Sequence, residues 1–171
     1  MIVPASPDAY RLAAETLLRG GLVALPTETV YGLAGLAGNS EAVAGIYRLK
    51  GRPSTNPLIT HITHPGQADD LGRMINTAQT LAGWGWPGPL TLVVERRGER
   101  DGASSGLGTI ALRCPDAPWR EHLPGPLVMP SANRSGHVSP TRAEHVRDDF
   151  GDELLIIDAG PCAGGLESTV V

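Results

Sequence analysis

Three short stretches of this chain concentrate side chains that can hold or move charge. The first, Pro26-Thr27-Glu28-Thr29-Val30-Tyr31-Gly32-Leu33, crowds hydroxyls, a carboxylate and a phenol together directly after a strand-like run. Strand ends in α/β sheets are where ligands usually bind. A turn whose threonines satisfy their own backbone has the same composition. The second stretch, Lys50-Gly51-Arg52-Pro53 with Asn56-Pro57-Leu58, sets two cations at a helix end. The helix dipole alone favours them there, yet Pro53 and Pro57 stiffen the chain after Arg52, and a stiff loop with two cations suits a polyphosphate. The third, Ser131-Ala132-Asn133-Arg134-Ser135-Gly136, follows a strand and offers hydroxyl and amide donors to phosphate or ribose. Ordinary Asn and Ser turn chemistry accounts for it almost as well.

Taken together, the cations Lys50, Arg52 and Arg113 and the neutral donors Ser131, Asn133 and Ser135 imply a polar, anionic small ligand. No nucleophile–base pair stands beside them. The chemistry they suit is a reaction between bound substrates, accelerated by placement and charge neutralisation. The chain has 14 basic residues, and Lys50 is the one lysine among them. A lysine kept against so strong an arginine bias is a candidate for chemistry, because an ammonium is a compact charge that suits a phosphate oxygen.

Other chemistries are excluded. There is no P-loop, no dinucleotide fingerprint and no nucleophile elbow. His61 and His64 are three apart, which in a strand puts them on opposite faces and argues against a shared metal. No metal ligation by protein side chains is expected. Two cysteines in 171 residues make neither a disulfide framework nor a four-thiolate zinc site. A formal charge of −4 is wrong for a protein gripping nucleic acid by whole-body charge, though a local RNA contact stays open. No apolar run approaches the roughly 20 residues of a membrane span, and Met1-Ile2-Val3-Pro4 does not open a signal peptide. The expected compartment is the cytoplasm, with no membrane contact.

The elements that must position these loops are readable in outline. Ser6-Pro7 opens a helix over 8–19, closed by Gly20-Gly21. Residues 22–25 form a buried strand, and 27–38 read as loop. Asn39 or Ser40 caps a helix over 41–50, with Gly51 at its end. Strands are expected at 58–62, 90–95, 109–113, 127–129 and 154–158, with another beginning at 169. Helices are expected at 76–84 and, from a Thr141–Glu144 capping box, to about 149. Residues 96–108 read as an exposed loop. Seven or so short strands interleaved with helices predict an α/β fold: a twisted, open, mixed β-sheet flanked by helices.

In this order, the motifs resemble the YrdC family of threonylcarbamoyl-AMP synthases. PTETVYGL at 26–33 is similar to the family's opening motif and KGRPSTNPLITHI at 50–62 to its lysine–arginine segment. WPGPLTLVV at 86–94, TIALRCP at 109–115, SANRSGHVSPT at 131–141 and ESTVV at 167–171 follow in sequence. The pairs Lys50/Arg52 and Ser131/Asn133 resemble the true synthases rather than the branch lacking them.

The resemblance implies a large cationic cavity. It also implies an ATP-dependent nucleotidyl transfer: L-threonine, bicarbonate and ATP, with Mg²⁺, give threonylcarbamoyl-AMP and pyrophosphate. A downstream tRNA threonylcarbamoyl transferase complex would pass the group to adenosine 37 of tRNA. By the same resemblance, Lys50 and Arg52 are the catalytic cations on the phosphates. Asn56, Ser131, Asn133 and Ser135 would complete the ATP side, and Thr27, Tyr31, His61, Arg113 and Ser168 would line the threonine side. Arg113 is the natural partner of a carboxylate, whose geometry its fork matches. Residues 1–171 are expected to form one domain, short of the family's final C-terminal segment. Family members often carry a His near the end of the segment where this chain has Asp116-Ala117-Pro118. Two alternatives stand beside this reading: a non-catalytic module binding tRNA or double-stranded RNA, and a carbamoyl-adenylate-forming domain of the hydrogenase-maturation kind.

Overall fold

The computed structural model describes residues 1–98 and 103–171. Helix α1 (Pro7–Leu18) starts where Ser6 Oγ accepts the Ala9 N–H at 3.1 Å, with Pro7 in its first turn. Helix α2 (Ser40–Lys50) is capped by the Asn39 side chain, which accepts the Ala42 N–H. It ends at Gly51, whose φ of +63° lies in the left-handed region that favours glycine. That stop fixes where Lys50 and Arg52 leave the helix.

Among the described residues nine strands form one open mixed sheet. In chain order they are β1 (Ile2–Pro4), β2 (Val23–Leu25), β3 (Gly32–Leu36), β4 (Ile59–His61), β5 (Leu90–Glu95), β6 (Thr109–Arg113), β7 (Leu127–Val128), β8 (Leu155–Asp158) and β9 (Thr169–Val170). Across the sheet the order is β1-β8-β2-β3-β7-β4-β6-β5-β9. β1 and β2 run parallel to β8, β4 to β6 and β5 to β9; the remaining pairs are antiparallel. Alternation along the strands divides the core between two faces. Val23, Leu25, Leu155 and Ile157 pack with Leu17 of α1 and with Trp119. Ala24 and Ile156 point the other way, toward Val43 and Ile46 of α2 and Val146 of α5 (Ala143–Phe150). A third cluster joins Ala68 of α3 (Ala68–Leu71) and Ala78 of α4 (Asn76–Gly85) to Leu90, Leu92 and Leu112. No described helix is long and apolar enough to cross a membrane.

Several elements differ from the sequence expectation. Within the expected loop at 27–38 runs β3, paired antiparallel with β2 and β7. Its glycines, which lower strand propensity, are packing positions: a Cβ on Gly32 would lie 2.4 Å from Met129 Cγ. β1 was not expected; the Met1 ammonium anchors it by donating to the main-chain oxygens of Asp152 and Leu154. The expected exposed loop at 96–108 lies partly outside the described residues, at 99–102. Of the rest, Ala103 and Ser104 are buried, because the Ala103 carbonyl accepts the Leu58 N–H at 2.8 Å and its methyl joins the α2 core. The Thr141–Glu144 capping box does not form. α5 starts after Arg142 with no side-chain cap, and the Thr141 carbonyl instead accepts the Cys162 N–H at 2.9 Å.

Candidate active site

The loop leaving β2 is folded around one hydroxyl. Thr27 Oγ1 accepts the N–H groups of Thr29 and Val30 at 3.1 and 3.2 Å and donates to the Val30 carbonyl at 2.7 Å. This is the self-satisfying turn that its composition suggested, and it also sets the Thr29 hydroxyl 2.9 Å from Thr27 Oγ1. Backbone bonds then zip this loop to the one after β7. Leu33 N–H donates to Pro130 O, Ala132 N–H to Tyr31 O and Tyr31 N–H to Pro140 O, each at 2.8 Å. The first and third chemistry-bearing stretches are therefore one rigid unit.

Arg113 ends β6 facing this unit. It is in register with His61 across the parallel β4–β6 pair, so the two side chains share a face. The Arg113 side chain is only 5% exposed, and a charge buried so deeply must be paired. Nη2 donates to Glu28 Oε1 at 2.8 Å and to Thr29 Oγ1 at 2.9 Å, and Nε donates to the Gly88 carbonyl at 3.3 Å. Burial first, and then the Arg113 guanidinium, push the His61 imidazole down to about 3. His61 is thus a neutral ring at physiological pH, with Nδ1 3.4 Å from the Ile59 carbonyl. His64 lies beyond the strand, its Nδ1 accepting the Gly66 N–H, so the two histidines do not meet.

A cleft of about 180 Å³ opens above this face. Thr27, Thr29 and Gly32 form one side, Arg52, Pro57 and Leu58 another, and Met129, Pro130 and Ser131 a third. His61 and Arg113 line it from the sheet, and Glu167 and Ser168 come from the segment entering β9. Ser168 Oγ is 2.6 Å from Thr91 Oγ1, and Glu167 pairs with the Ser139 hydroxyl.

Lys50 is placed differently from Arg52. It is 3% exposed and does not line the cleft. Its Nζ donates to the main-chain oxygens of Ser131 and Asn133, both at 2.5 Å, while the Ser135 N–H returns a bond to Lys50 O at 2.8 Å. Burial chiefly, then the Arg52 charge, lower this ammonium to about 8, with Asp149 opposing. Arg52 lines the cleft, its Nη2 donating to the Pro57 carbonyl at 3.1 Å.

Of the expected site residues, the structure gathers Thr27, Arg52, His61, Arg113, Ser131 and Ser168 on one cleft. Tyr31 is not on it: the ring is buried and its hydroxyl donates to Gly160 O at 2.8 Å and Asp158 Oδ1 at 3.2 Å. Thr29, two residues earlier, lines the cleft instead. Asn133 Nδ2 is spent inside its own loop, on the carbonyls of Arg134 and His137. Asn56 and Ser135 are exposed outside the cleft. Glu28, Thr29 and Glu167 are functional-site neighbours that residue types alone did not single out. The carboxylate of Glu28 was visible in the first loop, but nothing in the sequence named Arg113 as its partner.

A mixed sheet carrying a cleft, with a buried arginine and a neutral histidine on its wall and a lysine stapling one loop, defines the class of this protein as α/β with charged side chains gathered at the sheet. The chain belongs to the Sua5/YciO/YrdC family, whose model, described as "Telomere recombination", matches residues 15–171. It is 46% identical over 167 residues to the threonylcarbamoyl-AMP synthase of Bacillus subtilis, covering 93% of this chain and 48% of that protein. With the threonylcarbamoyl-AMP synthase of Pyrococcus abyssi it shares 44% identity, covering 94% of this chain and 49% of the relative. The crystal structure of P. abyssi Sua5 complexed with L-threonine superposes with a TM-score of 0.93 at 42% identity, covering 99% of this chain and 53% of that one. The chain spans about half the length of these curated relatives.

Proposed function

We propose that this chain is an ATP-dependent nucleotidyltransferase that joins L-threonine, bicarbonate and ATP into threonylcarbamoyl-AMP and releases pyrophosphate. The observation that carries the reading is the convergence of Arg113, His61, Thr27 and Ser168 with Arg52 and Ser131 on one cleft, in a chain so close to a threonine-complexed relative. Threonine's neutral amine adds to the carbon of bicarbonate, water leaves, and a carbamate forms. A carbamate oxygen then attacks the α-phosphorus of ATP, and the bond to the β,γ-diphosphate breaks. Both partners are anionic, so the protein's task is to screen and align them.

In this reading Arg113 takes the threonine carboxylate, and Thr27, His61 and Ser168 shape the pocket around the remainder. Arg52 and Ser131 face the phosphates. Lys50 acts from behind, holding the main chain of the Ser131–Asn133 loop and lending its charge to the phosphate side. Asn133 keeps that loop's shape, while Asn56, Ser135 and Tyr31 meet substrate only after rearrangement. Among the described residues no three His, Cys, Asp or Glu side chains gather as a metal site. In our reading Mg²⁺ would ride on the ATP phosphates and would supply charge screening there, with Glu167 the carboxylate on the cleft wall. The product suits hand-over to a tRNA-modifying transferase complex in the cytoplasm, with residues 1–171 acting as one catalytic unit.

The test is pyrophosphate release from ATP with and without L-threonine and bicarbonate. Release that needs both supports the proposal. No release, together with RNA binding that weakens steeply with salt, would move the assignment to an RNA-binding module. Release driven by carbamoyl phosphate instead of threonine would move it to a carbamoyl-adenylate-forming domain.

A further inference from the structure

Glu28 and Thr29 are polar residues of the first loop to which the mechanism above gives no role, and Glu28 is the charged one. Its carboxylate belongs to the ion pair with Arg113, but it does not line the cleft. It borders instead a separate hollow with Asp116, Pro118 and Cys162. Glu28 is 19% exposed at the side chain, and its second oxygen, Oε2, is buried without a hydrogen-bond partner. A carboxylate held this way gives up solvation on both oxygens for one bond.

What that bond fixes is a rotation. Arg113 ends its strand, and its long side chain has several rotamers of similar energy. Glu28 Oε1 and Thr29 Oγ1 grip Nη2, and Gly88 O grips Nε, so one edge of the fork is held in place from behind. None of these bonds uses Nη1, which belongs to an arginine lining the cleft. The main chain around Glu28 is tied down as well: the Glu28 carbonyl accepts the Gly164 N–H at 2.7 Å and the Thr29 carbonyl accepts the Gly165 N–H at 3.0 Å. The grip therefore cannot drift with the loop.

We infer that Glu28 is a positioning residue for the threonine subsite, orienting the Arg113 guanidinium toward the cleft by a hydrogen bond of fixed reach. The inference rests on the proposed function. It separates reach from charge, because two conservative variants change one each. Glu28→Gln keeps the reach and an accepting oxygen but removes the charge. Glu28→Asp keeps the charge but is one methylene short of Nη2.

The experiment measures KM for L-threonine and for ATP, and kcat, by pyrophosphate release in the whole chain. L-threonine binding by calorimetry and thermal melts run alongside on the wild type and on Glu28→Gln, Glu28→Asp and Glu28→Ala. The expected result is a threonine KM within about threefold of wild type for Gln. For Asp and Ala it rises about tenfold or more, with ATP KM unmoved within about threefold. Asp behaving as wild type while Gln fails would show that charge alone matters and overturn the inference. Equal rises in both KM values, tracking the loss of melting temperature, would show a merely structural part and overturn it too. Should Ala not fold, the Gln–Asp contrast decides. Wild-type protein that neither binds threonine nor turns over overturns the reading of the cleft, and the inference with it. Wild-type turnover with an unaffected Asp variant overturns the inference alone.

Discussion

Lys50 Nζ lies 2.5 Å from the main-chain oxygen of Asn133, and the same ammonium holds the oxygen of Ser131 at 2.5 Å. The one lysine of the chain is thus a staple between the end of α2 and the loop after β7. A lysine at a solvated helix end contributes little to stability; one buried under two carbonyls is different. Lys50→Ala leaves both oxygens without their donor, at a cost on the order of 1–3 kcal/mol, seen as a fall of roughly 2–10 °C in melting temperature. The loosened loop carries Ser131, so threonine-dependent pyrophosphate release should fall by about a hundredfold or more. Thermal melts and initial rates on the purified variant check both. Undiminished turnover would remove Lys50 from the mechanism.

The same ammonium gives the site an alkaline edge. Its folded value of about 8 lies below the ordinary lysine value of 10.5. Between those two values the unfolded chain binds more protons, so this group makes folding more favourable as pH rises from 8 toward 10.5. Activity moves the other way, because the charge beside Arg52 and the phosphates is lost across the same pH. Turnover should therefore decline above about pH 8 while melting temperature shows no matching loss from this residue. Rates and melts taken together from pH 6.5 to 9.5 test the divergence. A flat rate to pH 9.5 would contradict it.

What could be read in the sequence were features set by local rules. Ser6, Asn39 and Gly51 announce helix ends through their own backbone and side-chain chemistry, and β5 and β6 fall at 90–95 and 109–113, where short apolar and β-branched runs read as strands. Arg113 was legible as a site residue through the resemblance of TIALRCP at 109–115 to the family's motif, because an arginine ending a strand in solvent has the same local sequence. Its partner was not legible: Glu28 is 85 residues away in the chain, and only the sheet order brings them together. β3 was hidden because its glycines are chosen by what packs against them, Met129 against Gly32 and Leu22 against Gly35, and not by strand propensity. Lys50 was expected to hold phosphate directly; its burial was not legible, because the carbonyls that bury it come from residues 131 and 133. Tyr31 shows the same limit: its phenol was expected at a ligand, and the partners that hold it here, Asp158 and Gly160, lie 127 and 129 residues away in the chain.

Replacing Arg113 by alanine should separate the two halves of the cleft. The change strands Glu28 half-buried beside an empty space, a loss on the order of 3 kcal/mol where a buried pair is broken. It also removes the fork that a substrate carboxylate would occupy. We expect KM for L-threonine to rise about tenfold or more and KM for ATP to change far less. Arg113→Lys should not rescue it, since an ammonium cannot hold Glu28, Thr29 and Gly88 in one plane. The reverse pattern of KM values would mean that the amino-acid and nucleotide sides are assigned the wrong way round.

Burial, and then the Arg113 charge beside it, make His61 one source of acid sensitivity in the fold. Its folded value of about 3 lies below the ordinary 6.5, so the unfolded chain takes up a proton that the folded chain refuses. The stability that follows from a neutral ring is fully present above pH 6.5 and is lost progressively as pH falls below it. Carboxylates whose folded values are also lowered, Asp149 and Glu167, add to acid loss, so wild-type melts alone cannot assign it. His61→Gln isolates the effect, because a glutamine keeps a polar tip at the Ile59 carbonyl and does not titrate. The drop in melting temperature between pH 7 and pH 4.5 should be smaller in His61→Gln than in wild type. If the two proteins lose the same number of degrees, the imidazole is not buried as a neutral ring. A protonated His61 would then sit beside the Arg113 charge on the same face, against the burial and repulsion that otherwise keep it neutral.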